Sequence, residues 1–269
     1  MYWFDWHCTE QVMKILLATI MLLSAVPCAE PRFDTAFEYY QYAQTYFNAN
    51  NYVTTITGIT TPSVGKPQVV HGVRQRLGDE HFFQNVVLGA STLGKNPSGA
   101  IQRFRDNNTV SYRTFKPKAP KKHGDIVSID FKKSEWKECT PEEYLAHWKK
   151  SPEDLTSFKI NADTPSTLTR EKNGNVTATF SINFSQAKDF VDNIKASSNI
   201  GVKSGDFTLT ITFDGNGRAI KIIEAGTFKM NILTNPTVTA STTETIKYKS
   251  VAPIISAQKS GVFGFAYEW

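Results

Sequence analysis

The sequence predicts an α+β fold dominated by antiparallel β-sheet, and three kinds of pattern predict it. Phe207, Leu209, Ile211 and Phe213 alternate with Thr208, Thr210 and Thr212, the two-residue period of a half-buried strand. Turn sequences punctuate such runs at Gly78-Asp79, Asp106-Asn107-Asn108, Asn173-Gly174 and Asp214-Gly215-Asn216-Gly217. Two other stretches, 33–49 and 140–150, repeat their apolar residues at helical spacing. The chain has 269 residues, 40% hydrophobic and 12% aromatic, an ordinary composition for a globular protein.

Residues 13–29 read as a signal peptide. Lys14 supplies the positive charge, Ile15 to Leu23 the apolar run, and Ser24 to Ala29 a small-residue exit. That run is short for a membrane span. Met13 is read as the true start, with residues 1–12 an overextended gene start. Ala25-Val26-Pro27-Cys28 has proline where a lipobox carries Gly or Ala, which argues against a lipid anchor at Cys28. Without the leader, Cys139 stands alone, so no disulfide framework is expected. An extracytoplasmic protein with so little cysteine fits a bacterial envelope.

Residues 30–250 are read as one domain. Phe33, Phe37, Tyr40, Ala43 and Phe47 would form the buried stripe of the first helix, with Asp34 as its cap. Threonine-rich and β-branched strands follow at 52–60, 68–77, 81–88, 100–105 and 109–115. The basic stretch Lys116 to Gly124, with Lys116, Lys118, Lys121 and Lys122, is a candidate surface patch. One more strand is expected within 125–136. Thr140, Pro141 and Glu143 then carry a capping box with proline at the first helical position. Tyr144, Leu145 and Trp148 give that helix an apolar side, and 152–155 suggests a further helical turn. A hairpin is expected at 167–183, a short helix at 185–197 with Phe190, Val191 and Ile194 inward, then a hairpin around Asp214–Gly217 and a strand at 237–248. The 251–269 tail is apolar without a clear period.

This order of elements, from Phe33 to Tyr248, resembles the LolA/LppX-like superfamily of envelope lipoprotein carriers and their Gram-positive relatives. The residues that carry the likeness are Thr179 to Asn183, Leu209 to Gly217, Gly226 to Met230 and Glu244 to Tyr248. The resemblance implies a curved antiparallel sheet, an unclosed barrel, with helices packed across its concave face. It also implies carriage of lipidated partners or glycolipids there, and it brings no catalytic motif.

Motifs for other chemistry are missing or misplaced. His71, His81, His123 and His147 are scattered without ligand spacing, so no metal site is expected. Asp214–Gly217 lacks the further acidic ligands of a calcium loop. No G-x-S-x-G, phosphate loop or dinucleotide fingerprint occurs, so no cofactor is implied. A helix between Cys139 and His147 would hold them about 12 Å apart. The formal charge of +5 suits weak contact with an anionic membrane or cell wall and falls short of a nucleic-acid signature. Arg103, Phe104, Arg105, Tyr112 and Arg113 only faintly suggest such a surface.

The function expected is that of an exported, non-enzymatic binding protein, holding a lipid or other apolar envelope molecule between sheet and helices. Phe207, Leu209, Ile211, Phe213, Phe228 and Met230 would line the site, with Tyr40 and Trp148 from the covering helices. The same residues would equally make a dry core. The alternative is a structural, interaction or sensing module of the envelope with no internal ligand.

Overall fold

The computed structural model describes residues 33–64, 67–89, 99–106, 109–117, 126–130, 134–148, 154–198, 201–248 and 262–266. The leader at 13–29, Cys8, Cys28, Lys118, Lys121, Lys122 and most of the tail lie outside the described residues. The described residues belong to one compact unit that begins at Phe33.

Helix α1 spans Ala36–Ala49. Its cap is Thr35 and not Asp34. The Thr35 hydroxyl accepts from Glu38 N while the Glu38 carboxylate accepts from Thr35 N, a complete capping box. The buried stripe also differs from the expectation by one position, because Ala36, Tyr39, Ala43 and Phe47 face inward. Tyr40 is left at the edge of that stripe, partly exposed.

The strands are β1 (Tyr52–Pro62), β2 (Gln68–Leu77), β3 (Glu80–Leu88), β4 (Gly99–Asp106), β5 (Thr109–Phe115), β6 (Ile126–Asp130) and β7 (Lys137–Cys139). Helix α2 (Pro141–Trp148) follows, with the expected Thr140–Glu143 capping box in place. Then come β8 (Ser166–Arg170), β9 (Val176–Ile182), α3 (Lys188–Ser198), β10 (Val202–Phe213), β11 (Ala219–Met230), β12 (Thr237–Lys247) and β13 (Val262–Ala266). Strands β7 and β13 were not expected. β7 is only three residues long, and β13 takes its order from pairing with β6. The helical turn expected at 152–155 does not reach Asp154 or Leu155, which are non-helical.

Eleven strands form one antiparallel sheet in the order β7-β5-β4-β3-β2-β1-β12-β11-β10-β9-β8. The two edges never meet, so the sheet is curved but unclosed, an α+β architecture. It consists of two meanders joined where β1 pairs with β12. The edge strands β7 and β8 are consecutive in the sheet's chain order. The segment between them, α2 and residues 154–160, therefore crosses from one edge to the other.

Directly paired residues on antiparallel strands share a face. The register places Ile211, Ile222, Glu244, Ile56, Gly72, Asn85 and Ile101 in one row on the face that carries α1, here called the inner face. Over β8–β12 that face is the main core, built with α1, α3, Leu155 and Phe158. Over β2–β5 the opposite, outer face is buried as well. There Val69, Val86, Leu88 and Ala100 pack on Ile129 of β6, and Phe82 and Phe104 pack near Trp136.

Candidate functional site

Six of the eight expected lining residues come together on the inner face. Leu209, Ile211 and Phe213 are 0% exposed, Phe207 and Phe228 3%, and Met230 5%. They are packed and not bare. Phe158 lies 5.8 Å from Phe207 between ring centroids, Phe190 lies 5.5 Å from Phe207, and Tyr39 lies 5.2 Å from Phe213. Contacts of this kind contribute about 0.5–1.5 kcal/mol each beyond area burial. Two glycines make room for the rings. A Cβ at Gly226 would meet Phe207 Cδ1 at 2.4 Å, and one at Gly205 would meet Phe228 Cβ at 2.6 Å. These are the cross-strand pairs Phe207–Gly226 and Gly205–Phe228, so each phenylalanine lies over the glycine opposite it. Trp148 ends α2, and its side chain lies outside the described residues.

Tyr40 is placed elsewhere. It borders a cleft of about 280 Å³ that also takes Asp154, residues 156–160 and Asp189 of α3. The Lys159–Asp189 ion pair, at 3.5 Å, stands beside it. Burial pushes the Tyr40 phenol up to about 12, and the Asp154 and Glu224 carboxylates add to the shift. The phenol therefore stays a hydrogen-bond donor at neutral pH. A cleft of this size is below the range of about 300–1,000 Å³ usual for drug-sized ligands.

Residues 154–160 are tied to the inner face by charged side chains that the sequence reading did not single out. The Glu224 carboxylate accepts from the Thr156 and Ser157 hydroxyls and from Ser157 N. The Arg74 guanidinium donates to the Asp154 carbonyl at 2.8 Å, and Gln44 Oε1 accepts from Leu155 N at 2.9 Å. Arg74 also makes a two-point pair with Glu244, Nε to Oε1 at 2.7 Å and Nη2 to Oε2 at 2.6 Å. Burial opposes the Arg74 charge, yet Glu244 more than offsets this and holds the guanidinium above its ordinary value. The available signal was parity. Glu224 and Glu244 occupy inward positions of strands whose neighbours at the same parity include Ile222 and Ile246.

The inner face changes character beyond β12. Gly58, Val70, Val87, Ile101, Ala240 and Thr242 are all inner-face residues, and all are partly exposed. This apolar trough lies next to the buried Arg74–Glu244 pair. Arg103 lies on the same face, 4% exposed, with its guanidinium 5.2 Å from the Phe83 ring centroid and 4.5 Å from that of Tyr144 on α2.

The remaining sequence candidates have structural roles. Asp214 organises its own turn, accepting from Asn216 N and Arg218 N and pairing with the Arg218 guanidinium. Gly217 in that turn has φ 75°. Arg103 and Arg113 are both buried and lie on opposite faces, so they form no common basic surface. Lys116 is exposed. Among the described residues no group of three or more His, Cys, Asp or Glu could hold a metal, and no helix is long and apolar enough to cross a membrane.

No family model matches the chain, and no curated protein matches it. Among solved structures it is similar to the crystal structure of LprF from Mycobacterium bovis, at 11% sequence identity and a TM-score of 0.35, over 80% of this chain and 93% of that one. It is also similar to a beta-barrel-like protein of a domain of unknown function, DUF1849, from Brucella abortus, at 10% identity and a TM-score of 0.23, over 74% of this chain and 98% of that one. The architecture itself is an unclosed antiparallel sheet with helices on its inner face.

Proposed function

We propose that the chain is an exported, non-enzymatic binding protein of the cell envelope that holds the apolar part of a lipid-like molecule against its inner sheet face. The observation that carries this reading is the trough over β12 and β1–β4. Gly58, Val70, Val87, Ile101, Ala240 and Thr242 are apolar or small, and they are neither sealed like the face over β8–β11 nor fully exposed. Partly covered apolar surface gains about 25 cal/mol per Å² when a ligand removes it from water. An acyl chain in the trough would continue the apolar floor formed by Phe207, Leu209, Ile211, Phe213, Phe228 and Met230. Tyr40 and its cleft are too small for such a chain and suit a polar group. The basic 116–122 stretch, with Lys116 exposed, is the place for a weaker contact with an anionic membrane or cell wall.

The test is organic extraction of the purified protein followed by mass spectrometry, with a neutral apolar dye such as Nile red as an exchangeable probe. The expected result is a co-purifying lipid and saturable dye binding that Val87→Trp, which fills the trough, weakens at least tenfold. A protein that carries no lipid and binds no dye would sink the reading.

A further inference from the structure

Arg103 is a buried cation that no carboxylate among the described residues pairs with. Its guanidinium is flanked by the Phe83 and Tyr144 rings and hydrogen-bonded to the Tyr144 phenol. Its Nε is buried with no hydrogen-bond partner. The charged group felt most strongly by it, beyond Tyr144, is Arg74, another cation. Arg74 has Glu244, but no carboxylate among the described residues pairs with Arg103. Buried charges in proteins are usually paired, because ring and phenol contacts return only part of the hydration that burial removes. An orphaned buried donor of this kind calls for an explanation, and a bound group that accepts from it is one.

The surroundings say what kind of group that is. The inner face of β2–β4 also carries Arg76 and Arg105, level with His81, so the local field favours an anion. Arg103 sits directly across from Phe83, and the next inner-face pair along is Asn85–Ile101. Asn85 Oδ1 is buried and without a partner too. Ile101 and Val87 belong to the trough. A charged site thus adjoins the apolar floor on the same two strands.

We infer that Arg103 anchors the oxyanion of an amphiphilic ligand, a carboxylate or a phosphate ester, whose apolar chain lies along Val87 and Ile101 in the trough. This rests on the binding reading given above. The planar guanidinium offers Nε and Nη donors in the fork that matches an oxyanion. The Asn85 side chain supplies a further polar contact for a head that also bears a hydroxyl or a bound water. The aromatic walls keep the site dry, which strengthens the charge interaction.

The experiment measures displacement of Nile red from the wild-type chain by oleate and by methyl oleate, which share a chain and differ in charge, and thermal stabilisation by inorganic phosphate. Oleate is expected to bind at least tenfold more tightly than the ester. Arg103→Met is expected to abolish that preference while leaving ester binding unchanged, and Arg103→Lys to keep part of it. Arg76→Met is the control and retains the preference, since Arg76 Nε is engaged by the Gly78 carbonyl. A structural role for Arg103 makes a different forecast, namely that Arg103→Met lowers the melting temperature of the ligand-free protein. The inference expects no loss, because methionine keeps the packing against the Phe83 and Tyr144 rings and removes a buried charge that no carboxylate among the described residues pairs with. Equal wild-type binding of oleate and ester overturns the inference and leaves the binding reading standing, whether or not the Met variant folds. Binding of neither overturns both. Stabilisation by phosphate with no oleate binding assigns Arg103 to a free oxyanion and overturns the amphiphile.

Discussion

The two halves of one sheet are buried by different means. Over β8–β12 the inner face is sealed by rings, with Phe180 and Phe213 fully buried beneath α1 and Phe158 wedged beside Phe207. Over β2–β5 the outer face is covered and the inner face only partly so, and polar side chains do much of the work. On the outer face Gln84, Gln102 and Arg113 are direct cross-strand neighbours that form a ladder. Gln102 donates to Gln84 at 2.7 Å, Arg113 Nε donates to Gln102 at 2.8 Å, and the guanidinium lies 4.5 Å from the Trp136 ring centroid. On the inner face are Arg74 and Arg103. Rings fill space and leave nothing for a ligand to satisfy. Buried polar groups fix geometry, and any donor left over is costly.

That contrast can be sharpened by breaking each half in turn. The largest effect is expected at the seam between them. Glu244→Ala leaves Arg74 buried and unpaired, which costs about 3–5 kcal/mol. Replacing both partners with Arg74→Met and Glu244→Leu should recover most of that loss, as urea unfolding of the two variants would show. A recovery that fails would mean that the tie from Arg74 to the Asp154 carbonyl matters more than the ion pair.

The next effect compares truncations of equal kind. Phe180→Ala in the sealed half should cost about 3–5 kcal/mol. Val87→Ala in the trough should cost under about 1 kcal/mol, because its side chain is already partly exposed and leaves no closed cavity. Equal losses in a chemical unfolding series would show that the trough is as tightly packed as the sealed face.

The smallest effect is one of pH. Burial holds the Tyr40 and Tyr52 phenols up to about 12, against an ordinary value near 10. The folded state then binds more protons than the unfolded one between these values. Their contribution to stability is complete below about pH 10 and is lost as pH rises through about 12. Melting temperature should therefore fall across that window, together with a late rise in tyrosinate absorbance. Tyr40→Phe should make the fall shallower.

Much of the sheet was legible in the sequence because one face of β9–β12 is covered and the other is wet. Alternation reports a single buried face, as at Phe207 to Phe213. Turn chemistry fixed the hairpins, and Gly78 and Gly174 do adopt positive φ, 61° and 86°. The pattern weakens where both faces are buried. In β3 burial alternates from Phe82 to Leu88, but Phe83 and Val87 on the other parity are apolar and partly covered while the buried Gln84 is polar, so the sequence shows no simple apolar–polar alternation. The one-residue offset in α1 has a similar origin. Its sequence offers aromatic residues at both Tyr39 and Tyr40, and only packing on Phe213 chooses between them. The lining residues were found as a set, but their cover was not, since Phe158 and Leu155 lie in a stretch with no periodicity. Arg103 was noticed for charge alone. Its burial depends on the pairing with Phe83 and on Tyr144 from α2, contacts distant enough in sequence to leave no local trace.

The connection between the edge strands has a mechanical consequence. α2 and residues 154–160 lie across the inner face, and they are continuous with β7 on one side and β8 on the other. A flap hinged at one end can swing away from a surface. A belt fastened to both rims cannot, unless one rim comes loose with it. A ligand of the kind proposed would therefore have to enter lengthwise, parallel to the strands, and a long thin molecule would do so more readily than a broad one.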